Sequence, residues 1–230
     1  MAPSSSSNPV YTAEVRARQS RGSSSRAVLA MVDRAMERRQ LSGASVVDVG
    51  CGAGDLYPVV RSRFSKYIGV DVVRYEGFPE EASFCRFDLD SGQVPLPEAS
   101  ADVVVAVEVI EHLENPREFA RQLVRLVKPG GWVVITTPNQ LSFLSLLTLV
   151  VKHRFQAFQD VHYPTHLTAL LEVDLRRIGT ECGLEQITIE YSLEARLPLT
   201  AHHYPSVLSR LFPRALSDNV LLIGRRANLA

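Results

Sequence analysis

The sequence predicts a doubly wound α/β fold in which helices cover both faces of a mainly parallel, seven-stranded sheet. Short apolar runs alternate with helical stretches from residue 44 onward, several runs lack polar alternation, and a glycine-rich loop follows the first run. Unbroken apolar runs are typical of strands that helices bury on both faces. The predicted strands are residues 46–49, 67–70, 84–87, 103–107, 132–136, 186–191 and 220–223.

The order of helices and loops indicates one domain, over residues 26–230, behind a polar tail. Residues 1–25 are rich in serine and are predicted to be disordered, because they cannot bury enough apolar surface. A helix at about residues 25–39 follows, with Val28, Val32 and Met36 at helical spacing. Another helix should begin at Pro116, with Asn115 as its N-cap, and end at the Lys-Pro-Gly-Gly run of residues 128–131.

Composition excludes several classes of function. The 25 basic residues equal the 25 acidic ones, so no net field would attract a nucleic acid, and only the arginine-rich residues 16–39 form a candidate patch. The three cysteines lack metal-binding spacing and are expected to be reduced thiols, which favours a cytoplasmic location. No apolar run reaches the ~20 residues that span a bilayer.

A glycine loop joins the first predicted strand to a helix, in the sequence Val-Val-Asp-Val-Gly-Cys-Gly-Ala-Gly-Asp-Leu at residues 46–56. Such a loop lets a ligand approach the main chain closely, at the sheet edge where strand order reverses. A dinucleotide-binding oxidoreductase uses the same physics with the spacing G-x-G-x-x-G. Here the third glycine comes one residue early, and Asp55 would lie close to a pyrophosphate.

Acids end the next two predicted strands at the same edge. Asp71 is placed to accept hydrogen bonds from both hydroxyls of a ribose. Asp88 could accept from an adenine amino group while the Leu89 NH donates to the ring. Together with the glycine loop, these acids predict a site for a nucleoside-containing cofactor.

Five ordered motifs resemble those of class I S-adenosylmethionine-dependent methyltransferases, which have a Rossmann-like fold. They are residues 46–56, Asp71, Asp88 with Leu89, residues 101–113 and residues 128–139. Over residues 44–190 the chain is most similar to the group that contains the ubiquinone-biosynthesis O-methyltransferases. The resemblance implies that S-adenosylmethionine is the cofactor. It assigns cofactor contacts to Asp48, Gly50, Cys51, Gly52, Asp71, Val72, Asp88, Leu89 and Glu108.

An acid-histidine element ends the fourth predicted strand. Glu108, Glu111 and His112 match the E-x-x-E-H element with which the ubiquinone enzymes and the small-RNA 3′-terminal 2′-O-methyltransferases hold a metal, and His166 is the candidate fourth ligand. Metal-free relatives also resemble this stretch, so no metal is expected. We instead expect His112 to act as a general base or to orient the acceptor, with Glu111 and His166 beside it. The other four histidines are expected at the surface or at helix ends.

An insertion at about residues 140–167 is predicted to cap the cleft. Residues 141–151 are apolar except for Ser142, Ser145 and Thr148, which would form one narrow polar stripe on a helix. The broad apolar face must meet the domain core, a hydrophobic acceptor, a second subunit or a membrane surface. The sequence leaves these four partners open.

The expected activity is O-methylation of a small, hydrophobic or lipid-linked acceptor through a phenol, quinol or sugar hydroxyl. Three alternatives remain: an RNA 2′-O-methyltransferase, an NAD-dependent oxidoreductase, and a cofactor-binding module without activity. Asp71, Asp88 and a potential base favour the methyltransferase, and the balanced charge disfavours an RNA acceptor.

Overall fold

A single seven-stranded sheet organises the computed structural model, which describes residues 12–198, 200 and 202–228. The strand order is β3-β2-β1-β4-β5-β7-β6, and all pairs are parallel except those of β7 with β5 and β6. The strands are β1 (Gly43–Val49), β2 (Phe64–Asp71), β3 (Ser83–Arg86), β4 (Ala101–Val107), β5 (Val127–Pro138), β6 (Leu184–Tyr191) and β7 (Asn219–Arg226). The predicted fold class is therefore confirmed.

Helices cover both faces of the sheet, and each face has its own buried cluster. Val32 and Met36 pack on one face, whereas Leu123 and Ile178 pack on the other. The helices are α1 (Ala13–Ser20), α2 (Arg26–Arg38), α3 (Tyr57–Val60), α4 (Pro116–Leu126), α5 (Phe143–Lys152), α6 (Glu172–Glu181) and α7 (Ser206–Leu211). Because β1 pairs with β2 on one side and β4 on the other, strand order reverses at β1 and opens a crevice at the strand ends.

The predicted disorder of residues 1–25 is wrong for its second half, whereas residues 1–11 lie outside the described residues. Helix α1 buries none of its residues, so its apolar content could not reveal it. Polar contacts hold it instead: the Thr12 side chain caps it, Arg16 pairs with Asp90, and Tyr75 Oη donates to the Ala17 carbonyl at 2.5 Å.

Helix α4 has both of its predicted ends. It begins at Pro116, where the Asn115 side chain accepts from Glu118 N, and it ends at Leu126, just before the Lys-Pro-Gly-Gly run. Residues 128–131 belong to β5. Gly131 is needed there because a Cβ would approach the Asp102 carbonyl oxygen to 2.6 Å.

Helix α5 turns its polar stripe inward, opposite to the orientation of a helix that packs its apolar face on a core. Ser142 and Thr148 are buried, and Ser145 is only 1% exposed. We call the opposite side, where Val150 is 75% exposed, the outward face of α5; it comprises Phe143, Leu146, Leu147, Val150 and Val151. The outward face of α5 therefore does not pack against the cleft. No helix in the described part of the chain is both long and apolar enough to cross a membrane.

Candidate active site

One cleft of 370 Å³ at the carboxyl ends of the parallel strands contains every site residue predicted from the sequence. The cofactor set comes from the ends of four neighbouring strands, and the acid-histidine set comes from the turn after β4 and from the insertion. The predicted residues that line it are Asp48, Gly50, Cys51, Gly52, Asp71, Val72, Asp88, Leu89, Glu108, Glu111, His112 and His166.

The glycine loop after β1 has the close approaches that a ligand cradle requires. Gly50 and Gly52 have φ values of +77° and +51°, which favour glycine. A Cβ on Gly50 would lie 2.3 Å from the Val109 side chain, and one on Gly52 would lie 2.1 Å from the Gly22 carbonyl oxygen. The loop therefore brings bare backbone to the cleft, as the nucleoside cofactor predicted for this position requires.

Asp71 is fixed at the end of β2 by the backbone around it. One carboxylate oxygen accepts from Gly52 N at 2.9 Å and the other from Val73 N at 3.1 Å. Burial raises the pKa of Asp71, while the backbone NH donors act in the opposite direction. These contacts hold the carboxylate in one orientation, which suits an acceptor for two ribose hydroxyls.

Asp48 is a buried acid directly beneath the glycine loop. Tyr67 Oη donates to its Oδ2, whereas its Oδ1 has no hydrogen-bond partner. Burial raises the pKa of Asp48 to about 7, against the opposing effect of the Tyr67 hydrogen bond. The carboxyl group therefore has one oxygen free of protein partners directly beneath the loop.

The segment around α1 closes the cleft over the glycine loop, and the sequence did not indicate this role. The Gly22 carbonyl accepts from Ala53 N at 2.8 Å, and Ser24 N donates to Asp55 Oδ2 at 3.0 Å. Arg16, Ala17 and Ser20 line the cleft beside Tyr75. The polar composition that suggested disorder gave no signal for these contacts.

The half-buried Glu108 and the buried Glu111 occupy the other end of the cleft. Glu108 Oε1 accepts from Asn219 Nδ2 at 2.9 Å, and burial together with the nearby Glu111 raises the pKa of Glu108 to about 7. Glu111 is 1% exposed, and neither of its carboxylate oxygens has a hydrogen-bond partner. Burial raises the pKa of Glu111 to about 8. The neighbouring Thr137 hydroxyl acts in the opposite direction, but its geometry falls short of a hydrogen bond, so Glu111 has weaker partners than buried carboxylates normally have.

Two imidazoles beside Glu111 are anchored through the same ring atom. His112 Nδ1 lies 2.7 Å from the Thr165 carbonyl oxygen, and His166 Nδ1 lies 2.6 Å from the Ala157 carbonyl oxygen. Because a carbonyl only accepts, each Nδ1 carries the proton and each Nε2 keeps its lone pair. Burial lowers both pKa values, that of His166 to about 4, so both rings are neutral at pH 7.

The three groups converge closely enough to hold one metal ion. Ligand atoms of Glu111, His112 and His166 lie within 4.8 Å of one another. Glu108, the fourth member of the predicted set, is not part of this cluster. His162, predicted at the surface or at a helix end, is the last residue of the short 3₁₀ helix Asp160–His162. Its ring stacks on His166 at 5.4 Å between ring centroids and lines the cleft. The four-residue spacing between His162 and His166 was the sequence feature that could have indicated this contact.

The family comparison gives one clear match. The model of the methyltransferase domain family matches residues 18–189. A probable S-adenosylmethionine-dependent methyltransferase of Mycolicibacterium smegmatis is 34% identical over 105 residues, 44% of this chain and 41% of the relative. The ubiquinone biosynthesis O-methyltransferase of Leptothrix cholodnii is 31% identical over 122 residues, 48% of this chain and 51% of the relative. The alignments thus span about half the length of these relatives.

Solved structures share the fold at low sequence identity. A SAM-dependent methyltransferase from Archaeoglobus fulgidus superposes with a TM-score of 0.60 at 19% identity, covering 86% of this chain and 94% of that one. A putative methyltransferase from Bacillus halodurans gives a TM-score of 0.58 at 17% identity, with 87% and 99% covered. These similarities identify the architecture as that of a Rossmann-like methyltransferase domain.

Proposed function

The chain belongs to the methyltransferase domain family and its cofactor is S-adenosylmethionine, and from this premise we propose that it methylates a hydroxyl oxygen of a small acceptor. The family assignment removes the NAD-dependent oxidoreductase as an alternative. One observation carries the choice of oxygen: the free Nε2 of His112 lies in the same cleft as Asp71 and the glycine loop. A neutral imidazole suits the removal of a hydroxyl proton.

The proposed transfer needs no covalent intermediate. A lone pair of the acceptor oxygen forms the new O–CH₃ bond while the sulfonium S–CH₃ bond breaks, and S-adenosylhomocysteine is released. The hydroxyl proton moves to His112 Nε2 and from there to solvent. The Thr165 carbonyl keeps the proton on Nδ1 and so fixes which nitrogen accepts. The remaining contribution of the chain is to align the two substrates and to exclude water.

An acceptor screen tests this proposal. S-adenosylhomocysteine release would be measured with phenols, quinols and simple glycosides, and with amines of similar size as controls. We expect at least one hydroxyl compound to respond. Turnover with amines alone would refute O-methylation, while leaving the fold and the cofactor unaffected.

A metal-dependent form of the reaction is the second candidate, favoured by the unpartnered carboxylate of Glu111. In both histidines a backbone carbonyl holds Nδ1, which leaves the Nε2 lone pair for a ligand, as is typical of metal-binding histidines. Glu111, His112 and His166 would hold a divalent cation, which would polarise the acceptor hydroxyl. The residues therefore fit such an ion, although His112 cannot be ligand and base through the same Nε2.

Calorimetry distinguishes the metal-dependent form of the reaction from the metal-free form, and it needs no methyl acceptor. Zn²⁺ or Mn²⁺ would be titrated into metal-stripped protein, into Glu111→Gln and into the matched control Glu114→Gln, which alters an exposed acid nearby. Stoichiometric binding that is lost only in Glu111→Gln would support the metal form. Equal heats in all three proteins would leave His112 as a metal-free base.

RNA is a poor acceptor for this molecule. Within the arginine-rich stretch 16–39, Arg16 pairs with Asp90, Arg18 with Glu14, and Arg39 with Glu190. Arginines that are neutralised by the protein's own acids release few counterions on binding a polyanion. We therefore expect short RNA duplexes to bind weakly and without the steep salt dependence of a dedicated RNA-binding surface.

We further propose that the outward face of α5 contacts an anionic lipid surface. Its apolar side chains are continuous in sequence with Lys152, and no acid occurs between residues 143 and 154. The short helix α7 extends the same surface, because Phe143 N donates to the Ala215 carbonyl just beyond it and Val207, Leu211 and Phe212 are exposed. Apolar side chains beside basic ones are typical of helices that lie in a membrane interface.

Vesicle flotation tests this contact. We expect the protein to float with vesicles containing phosphatidylglycerol and less with pure phosphatidylcholine, and Val150→Ser with Leu146→Ser to abolish flotation. Binding that survives both changes would contradict the proposal. A concentration-dependent dimer that the same two substitutions dissociate, with no flotation, would assign the face to a second copy instead.

A further inference from the structure

A second cavity of 370 Å³ adjoins the cofactor cleft on its acceptor side. Glu108, His162 and His166 line both spaces, whereas the glycine loop, Asp71 and Asp88 line only the first. The second cavity therefore begins where the cofactor site ends, at His166, whose ring centroid lies 4.8 Å from that of His112, the proposed base. It is the natural space for the part of the acceptor that does not react.

Most of the residues that line this cavity have polar side chains. Ser142 and Ser145, from the inward stripe of α5, line it, and so do Asn139 and Gln156. Among the residues of α5 itself, only Leu144 adds an aliphatic side chain larger than alanine to this wall. The insertion thus uses its polar side to build the cavity and leaves its leucines and valines outside.

A buried carboxamide in the wall lacks half of its hydrogen bonds. Gln140 is 2% exposed; its Nε2 donates to the Pro138 carbonyl at 3.0 Å, but its Oε1 has no partner. Leaving a buried acceptor unsatisfied is costly, so such an atom is normally paired in the functional state. A ligand that donates hydrogen bonds would pair with it.

Groups of both charge signs surround the open side of the cavity. Arg26 and Arg196 are exposed there, as are Glu194 and His203, and Asp218 accepts from the Arg196 backbone NH. A wall with many donors and many acceptors suits a ligand whose groups do both. Hydroxyls have that property, because each donates once and accepts twice.

We propose that this second cavity binds a hydroxyl-rich acceptor, a glycosyl unit, and presents one of its hydroxyls to His112. The inference rests on the proposed O-methylation and replaces the hydrophobic acceptor expected from the sequence with a polar one. As in the O-methylation proposed above, the glycosyl oxygen gains the methyl group, its proton leaves through His112 Nε2, and S-adenosylhomocysteine is formed. Sugar rings fit a space of this volume, which is within the range of small-molecule sites.

Ligand-observed NMR in the presence of S-adenosylhomocysteine provides the test. The probes are methyl glucoside, methyl galactoside and methyl rhamnoside, with catechol as the aromatic competitor. We expect saturation transfer to at least one glycoside, about five- to tenfold weaker binding in Gln140→Leu and Arg196→Met from the loss of one hydrogen bond each, and no change in Leu147→Ala on the outward face.

Each contrary outcome is informative. Catechol binding without glycoside binding would overturn the proposal, and so would no response to any glycoside or equal affinities in wild type and both cavity variants. Calorimetric binding of S-adenosylhomocysteine to the same preparations keeps the outcomes distinct. If that binding persists while the glycosides fail, the inference falls and the methyltransferase function stands.

Discussion

The two halves of the active site are built in different ways. The cofactor half uses residues at the ends of neighbouring parallel strands, among them Gly50, Asp71 and Asp88, and its key contacts involve the backbone. The acceptor half combines the start of α2 with the insertion and the start of β7, from Arg26 to Asn219. Strand order therefore positions the residues predicted to bind the cofactor, while loops far apart in sequence form the proposed acceptor cavity, and such loops can change independently of the strands.

The strongest test of this separation is the removal of the proposed base. His112→Ala should lower turnover by about 10²- to 10⁴-fold, because the hydroxyl proton loses its acceptor. Cofactor affinity should not change, since the cofactor contacts lie in the other half. His153→Ala, which alters an exposed histidine after α5, is the matched control and should leave turnover unchanged. A large loss of S-adenosylhomocysteine affinity in His112→Ala would show that the halves are coupled.

The reciprocal change concerns the cofactor half. Asp71→Ala removes a charged acceptor for the ribose hydroxyls and should weaken S-adenosylhomocysteine binding by ~1.5–3 kcal/mol in calorimetry. Glycoside binding should persist at high S-adenosylhomocysteine concentration. Glu80→Ala, an exposed acid that lines neither cavity, should bind normally. Unchanged affinity in Asp71→Ala would remove this residue from the cofactor site.

A third prediction uses the buried acid beneath the glycine loop. Burial raises the folded-state pKa of Asp48 to about 7, above the unfolded value of ~3.9. The folded chain therefore keeps a proton that the unfolded chain has lost, and the free energy of unfolding should fall as pH rises from ~4 to ~7, by about 1–3 kcal/mol from this group.

Urea denaturation of the cofactor-free protein at pH 5, 6, 7 and 8 measures this effect. Asp48→Asn keeps the shape without the titration, so the difference between wild type and Asp48→Asn isolates Asp48 from the other buried acids. A difference that is constant across this range would contradict the prediction.

The smallest expected effect is on the outward face of α5. Val150→Ser should change the free energy of unfolding by no more than ~0.5 kcal/mol, because the side chain is already in water. Leu123→Ala in α4, which truncates a fully buried side chain, should cost ~2–5 kcal/mol in the same urea experiment. A Val150→Ser penalty comparable to that of Leu123→Ala would mean that the outward face is covered within the folded protein.

The cofactor half was largely predictable from sequence because its residues follow apolar runs directly. Asp71 and the glycine loop each come at a strand end, and parallel topology brings such ends together. Seven strands and the Asn115 cap were predicted for the same reason: local patterns determine them.

The acceptor half was less predictable because the orientation of its helices depends on which distant parts of the chain each helix face packs against. Periodicity located α5, but it does not say which side faces the protein, and Ser145 rather than Leu146 faces inward. Helix α1 was missed because Arg16 and Tyr75 hold it through contacts distant in sequence. The partnership of His162 with His166 depends likewise on the path of the insertion.

The contacts of α1 also have a kinetic consequence. The helix buries no side chain, and its attachment consists of a few bonds such as Gly22 to Ala53 and Tyr75 to Ala17. Segments with so little buried surface separate from the rest of a protein at a small free-energy cost, long before global unfolding. Amide hydrogens of residues 13–20 should therefore exchange with deuterium orders of magnitude faster than those of β4. Since this segment lines the cleft beside the glycine loop, we expect its opening to widen the path by which a bound cofactor leaves.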